Sequence, residues 1–97
     1  MENTKSKELY EKMTKVHVKA AFLYEMEGVS PTLKNEYKIK VSQYDGMYIS
    51  LETMKSMTTK QDTIDNLDSQ QIEMLNVRIK WEMDWATRVA NNLVEIK

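Results

Sequence analysis

Apolar side chains recur every three or four residues through the first part of the chain, from residue 5 to residue 27. This spacing predicts a helix with one buried face, because successive helical residues are rotated by about 100°. The stripe predicted to face the core consists of Leu9, Met13, Val16, Ala20 and Leu23, with Tyr10, His17 and Tyr24 along its edge. Val18, Phe22 and Met26 lie on a different side. We therefore expect this helix to contact two neighbours.

The middle of the chain, residues 31–57, is compatible with two structures. A helix would place most of its large apolar residues on one stripe, namely Leu33, Tyr37, Val41, Tyr44, Met47, Tyr48, Leu51 and Met54. A β-hairpin over residues 37–53 would turn at Tyr44-Asp45-Gly46 and also give a clean alternation of apolar and polar positions. The helix is favoured, because an isolated two-stranded hairpin is only marginally stable.

The last segment, residues 60–96, is apolar around more than half of a helix circumference. Such a band is broader than one packing partner covers, so we expect this helix to have two. Gln71, Arg78 and Glu82 divide the band into two sides. The tryptophan side consists of Leu67, Met74, Trp81 and Trp85, and the aliphatic side consists of Ile72, Ile79, Ala86 and Leu93.

Two short stretches separate these segments. In Glu27-Gly28-Val29-Ser30-Pro31, glycine suits a left-handed helix end, serine suits an N-cap and proline suits a first helical turn. A threonine in residues 57–62 offers a second cap, although Asp68-Ser69 is an alternative start for the last helix. The sequence thus predicts an all-α fold, a three-helix antiparallel arrangement with a long C-terminal helix. The alternative is an α+β fold with a hairpin over residues 37–53 between two helical segments.

Composition narrows the class of protein further. The 97 residues suit one helical domain over residues 1–97, and a net charge of -1 gives no general attraction to nucleic acid or to an anionic membrane. Cysteine is absent, and no apolar run approaches the roughly 18 residues that a membrane span needs. The N-terminus also lacks the apolar core of a secretion signal. We expect a folded cytoplasmic protein without membrane contact.

Residues that carry catalytic chemistry are scarce. His17 is the one histidine, and the two glycines stand too far apart for a phosphate-binding loop. Asp62, Asp65 and Asp68 fan across a helix face, where they suit the start of a helix better than a cation site. We expect no catalytic residue, no metal site and no cofactor, and therefore a protein that is not an enzyme.

The length of the third helix predicts an interface instead. At 1.5 Å per residue it would extend about 55 Å, against about 35 Å for the first helix, so its tryptophan side should be left uncovered. The predicted protein interface consists of Leu67, Met74, Arg78, Trp81, Glu82, Trp85 and Val89. Arg78 and Glu82 would fix its register. We expect a homo-oligomer, most simply a dimer, that also binds a protein partner and acts as an adaptor, inhibitor or regulator by occupancy.

A second functional class is a nucleic-acid-associated accessory factor whose lysines act together in an oligomer. Lys34, Lys38 and Lys40 lie near Tyr37, Tyr44 and Tyr48 in the sequence, and single-strand binders combine basic side chains with stacking aromatic rings. On the helical interpretation these tyrosines belong to the core, which disfavours this alternative. Steep loss of binding with rising salt would identify it.

Overall fold

The computed structural model describes residues 4–96, with the side chains of residues 5–93. Its helices are α1 over Thr4–Tyr24, α2 over Pro31–Ser56 and α3 over Gln61–Ile96, and these residues contain no strand. The predicted all-α fold is confirmed, and the hairpin alternative over residues 37–53 is wrong. α3 also continues through Asp68 and Ser69, so the last helix does not restart there.

The turn between α1 and α2 follows the predicted pattern. Gly28 has a φ of 90°, a left-handed conformation that glycine adopts without strain. The Ser30 hydroxyl accepts a hydrogen bond of 3.1 Å from the Leu33 backbone N–H, and Pro31 is the first residue of α2. Between α2 and α3, the Thr58 hydroxyl accepts a hydrogen bond of 3.3 Å from the Lys60 backbone N–H.

Consecutive helices are antiparallel, so that α1 and α3 run in the same direction with α2 opposed to them. Residue numbers rise along α2 while those of their partners on α3 fall. Leu33 bonds to Trp85, Tyr37 bonds to Glu82, and Lys55 pairs with Asp68. α1 and α2 both pack against α3. This confirms that α3 has two neighbours, and the molecule measures 56 × 21 × 15 Å along its principal axes.

The core consists of two clusters that follow one another along α3. The first contains Met13, Tyr44, Met74, Leu75 and Ile79, and the second contains Ala20, Val29, Tyr37, Trp85 and Val89. Half-buried Trp81 packs against both clusters. Each cluster draws side chains from α1, α2 and α3, so the three helices share one continuous interior.

The expectation that the tryptophan side of α3 is left uncovered is wrong. Trp85 and Val89 are fully buried and Leu67 and Met74 are 7% exposed. The physical reason is that α2 lies along this side, where the Trp85 indole N–H donates to the Leu33 carbonyl at 2.9 Å. On the aliphatic side, Ile79 shares a cluster with Met13 of α1. Both sides of α3 are therefore occupied by the chain's own helices.

α1 contacts both other helices, but both contacts lie on its core face, and the expectation that Val18 and Phe22 face a second neighbour is wrong. Val18 and Phe22 are 61% and 71% exposed, because both α2 and α3 pack on the opposite face of α1. Met47 and Met54, which we expected on the core stripe of α2, are also about half exposed. These exposed side chains form the surfaces considered below.

Candidate functional site

A cluster of polar side chains lies inside the bundle, and we call it the Glu82 cluster: His17, Tyr37, Asp45, Arg78 and Glu82. Glu82 is fully buried and the Arg78 side chain is 4% exposed. The Arg78 Nε–H donates to Glu82 Oε2 at 2.8 Å, and its Nη1 donates to Asp45 Oδ1 at 2.7 Å. One buried cation thus contacts a carboxylate on its own helix and a second carboxylate on α2.

The other carboxylate oxygen of Glu82 faces α1 and α2. Tyr37 donates its hydroxyl hydrogen to Glu82 Oε1 at 2.8 Å. His17 Nδ1 lies 3.0 Å from the same oxygen and 2.9 Å from the Tyr37 oxygen. Because the tyrosine hydrogen is already used, both histidine contacts are satisfied when Nδ1 carries its hydrogen and donates. Glu82 is then bonded from all three helices.

Burial opposes the effect of the neighbouring carboxylates on the pKa of Arg78 and adds to the effect of Glu82 on the pKa of Tyr37. Burial lowers the pKa of Arg78, but hydrogen bonds and charges from Glu82 and Asp45 outweigh it and raise the pKa above its ordinary value. Burial raises the pKa of Tyr37 strongly, and Glu82 raises it further. Arg78 therefore stays charged and Tyr37 stays neutral across the physiological pH range.

A second polar cluster fixes the opposite end of α2. Fully buried Gln71 donates to Glu52 at 2.8 Å and accepts from Lys55 at 3.0 Å. Lys55 also pairs with Asp68. Burial lowers the pKa of Lys55, but Asp68 and Glu52 outweigh that effect and raise it. These contacts hold α2 to α3 in a single register.

The predicted interface residues are thus brought together, but mostly inside the chain. Arg78 and Glu82, which we expected to fix an interface between molecules, instead join helices of one molecule. Sequence reasoning missed His17, Tyr37 and Asp45 as their partners. The available signal was an Arg and a Glu one helical turn apart within an apolar band, which requires compensating polar groups on the neighbouring helices.

Two lysines of the nucleic-acid alternative lie over tyrosine rings. The Lys34 ammonium group lies 5.3 Å from the ring centre of Tyr24, and that of Lys40 lies 6.0 Å from the ring centre of Tyr44. Of the tyrosines expected beside Lys34, Lys38 and Lys40, Tyr37 and Tyr44 are buried in the core and Tyr48 is half-buried. Burial withholds the rings of Tyr37 and Tyr44 from the base stacking that single-strand binding uses.

An open groove lies between α2 and α3, and we call it the α2–α3 groove. Its volume is about 870 Å³, and it is lined by Gln43, Tyr44, Gly46, Met47, Ser50, Leu51, Gln70, Glu73, Met74 and Val77. No α1 residue lines it, so it opens on the side of the bundle away from α1. Met47 and Val77 are 47% and 51% exposed. Glu73 is the one charged residue among those that line it.

A smaller cleft of about 460 Å³ lies between α1 and α2, with Tyr10 and Tyr48 at its sides and Arg78 among its lining residues. Within residues 4–96, no group of three His, Cys, Asp or Glu side chains is arranged to bind a metal. None of the helices described carries an apolar stretch that would cross a bilayer.

Comparison with known proteins gives no match for this chain: no family model fits the sequence, and no curated protein or solved structure is significantly similar to it.

Proposed function

We propose that this protein is a non-enzymatic interaction protein that acts by occupancy, and that it binds a helix in the α2–α3 groove. The observation that carries the proposal is the groove itself. Met47 and Leu51 of α2 face Met74 and Val77 of α3 across it. Met47 and Val77 are about half exposed to water, and covering them with another molecule is favourable because it buries apolar surface.

The shape of the groove favours a helical occupant. Its lining on α2 runs from Gln43 to Leu51, which is about 12 Å or two helical turns. Two packed helices leave between them a furrow into which side chains spaced by three or four residues of a third helix insert. Gly46 leaves open space on this surface, with no atom within 4 Å of where a Cβ would stand.

Buried hydrogen bonds and ion pairs hold α2 and α3 together beside the groove. The Glu82 cluster and the Gln71 contacts join α2 to α3 at points along the groove's far side. A preformed groove binds with a smaller loss of conformational entropy than a flexible one. The buried polar groups therefore support binding without touching the partner.

A synthetic amphipathic helix tests this proposal. The probe is a peptide of about 18 residues with leucine on one face and lysine on a flank, compared with a scrambled peptide of the same composition. We expect amide chemical shifts of the protein to change along the α2–α3 groove with the helical peptide only.

Two matched variants distinguish peptide binding in the groove from nonspecific association with the protein. Val77→Glu should abolish these shift changes, whereas Met83→Glu, at a residue on α3 that is 52% exposed but does not line the groove, should leave them intact. Equal shifts with the scrambled peptide, or no shifts at millimolar peptide, would contradict the proposal.

A further inference from the structure

The outer face of α1 carries an apolar ridge, which we define as Val18, Phe22 and Met26. Val18 is 61% exposed, Phe22 is 71% exposed, and Met26, just past the end of the helix, is 39% exposed. The four-residue spacing of Val18 and Phe22 places them on one face of α1, and Met26 follows in the turn that ends the helix. They lie away from Met13 and Ala20, which face the core. The ridge and the α2–α3 groove therefore lie on opposite sides of the molecule.

The helical part of the ridge is shorter than the groove. Val18 and Phe22 are four residues apart on α1, about 6 Å, whereas Gln43 and Leu51 are eight residues apart on α2, about 12 Å. The ridge is convex and built on a helix, and the groove is concave and lies between two helices. The ridge of one copy thus fits within the length of the groove.

The charges on the two surfaces are also complementary. α1 carries five lysines against two glutamates, and the one charged residue that lines the groove is acidic. Lys15 and Lys19 lie beside the ridge, and Glu73 lines the groove. None of these three residues forms an ion pair within the part of the chain that is described.

We infer that the occupant of the α2–α3 groove is α1 of a second copy of this chain, with the ridge in the groove and Lys19 facing Glu73. This inference rests on the proposed function, because it uses the same groove. Since the two surfaces differ, the contact is head to tail, and each bound copy still offers a ridge or a groove to a further copy. The expected product is an open chain of molecules rather than a symmetric dimer.

Sedimentation velocity from micromolar to millimolar protein tests the assembly. The wild type should show an average mass that keeps rising with concentration. Phe22→Glu in the ridge and Val77→Glu in the groove should each weaken association at least about tenfold, as loss of a central interface side chain commonly does. Met83→Glu is the control, and it should assemble as the wild type does.

Mixing the two defective variants distinguishes a head-to-tail contact from a symmetric one. Phe22→Glu keeps an intact groove and Val77→Glu keeps an intact ridge, so an equimolar mixture should form a 1:1 complex that grows no further. A symmetric interface of two ridges or of two grooves would be lost in only one of the two variants, and that result would overturn the inference. Far-UV circular dichroism verifies that both variants fold, and Phe22→Gln replaces Phe22→Glu if it does not.

A charge exchange tests the orientation. Lys19→Glu and Glu73→Lys should each weaken assembly severalfold, and the double variant should recover most of the loss. No recovery would contradict the assigned pairing. A wild type that remains monomeric at millimolar concentration would overturn the inference outright. The proposed function would survive that result if the amphipathic peptide still bound the groove.

Discussion

At the scale of single residues, the burial of Glu82 is the feature that most needs a physical explanation. Transferring a carboxylate out of water is costly unless charges and hydrogen bonds replace its hydration. Arg78 supplies the charge, and Tyr37 and His17 supply donors from α2 and α1. The cluster thus specifies how three helices meet, because any shift of one helix leaves a buried charge without its partner.

Removing the charge of Glu82 should therefore be severely destabilising. Glu82→Gln leaves Arg78 buried with only Asp45 to balance it, and we expect the free energy of unfolding to fall by about 3 kcal/mol. Urea denaturation measures this loss. Lys80→Gln, on the exposed face of α3, is the matched control and should change stability by no more than about 0.5 kcal/mol. A Glu82→Gln protein as stable as that control would contradict the role assigned to the cluster.

The raised pKa of Tyr37 leads us to expect that the protein loses stability at alkaline pH. Burial, followed by its bond to Glu82, raises the pKa of Tyr37 in the folded state, whereas an unfolded tyrosine titrates near pH 10. A raised folded pKa means that its contribution is present below about pH 10 and is lost as pH rises above that value. Unfolding free energy should therefore fall progressively as pH rises from about 10 to about 12.

Two phenylalanine variants isolate this contribution. Tyr37→Phe should flatten the alkaline decline, although it also removes a hydrogen bond and so lowers stability at neutral pH by about 1 kcal/mol. Tyr10→Phe, at a residue that is 44% exposed, should keep the wild-type pH dependence. Urea denaturation repeated over this pH range makes the comparison, and identical slopes for Tyr37→Phe and wild type would disprove the assignment.

At the scale of helices, the sequence was informative because the signals were local. Gly28, Ser30 and Pro31 encode a helix end, a cap and a helix start, and each acts within a few residues. The bounds predicted from them, 5–27, 31–57 and 60–96, differ from the observed helices by at most three residues. Periodicity was less reliable for Met47. Residue spacing shows which side of a helix is apolar, but it does not show how much of that side the neighbouring helices cover.

The two glycines predict stability changes of opposite sign. Gly46 lies inside α2 with open space around it, so Gly46→Ala should stabilise the protein by about 0.5 to 1 kcal/mol through higher helix propensity. Gly28 has a φ of 90° and a Cβ there would stand 3.3 Å from Leu93. Gly28→Ala should therefore destabilise by about 1 to 2 kcal/mol. Thermal unfolding followed by circular dichroism measures both, and a destabilised Gly46→Ala protein would contradict a helical α2.

At the scale of the whole molecule, the sequence could not show which helix covers which side of α3. The tryptophan and aliphatic sides are both apolar, and length alone suggested that one side had no cover. The choice depends on pairings between distant residues, such as Asp45 with Arg78 and Tyr37 with Glu82. No local pattern encodes these pairings. The sequence therefore showed that the tryptophan side of α3 is apolar, but its residues were assigned to a contact between molecules instead of the interior of one molecule.

Trp85 lies in the core, where it contacts side chains and backbone of the neighbouring helices. It is fully buried, its ring centre lies 4.3 Å from that of Tyr37, and its indole N–H donates to the Leu33 carbonyl. Trp85→Ala removes a large side chain of α3 from the core cluster that also contains Tyr37 of α2 and Ala20 of α1. The substitution opens a cavity and removes the side-chain donor of the Leu33 carbonyl, so we expect unfolding free energy to fall by about 3 to 5 kcal/mol.

The resulting loss should affect the fold rather than the association of copies. If the tryptophan side were a surface between molecules, Trp85→Ala would yield monomers that keep their helical signal and melt as the wild type does. The buried position predicts instead that helical signal is lost at lower temperature at every protein concentration, because all three helices depend on the same cluster. Met83→Ala is the control, since Met83 is 52% exposed on the same helix, and its melting temperature should stay close to that of the wild type.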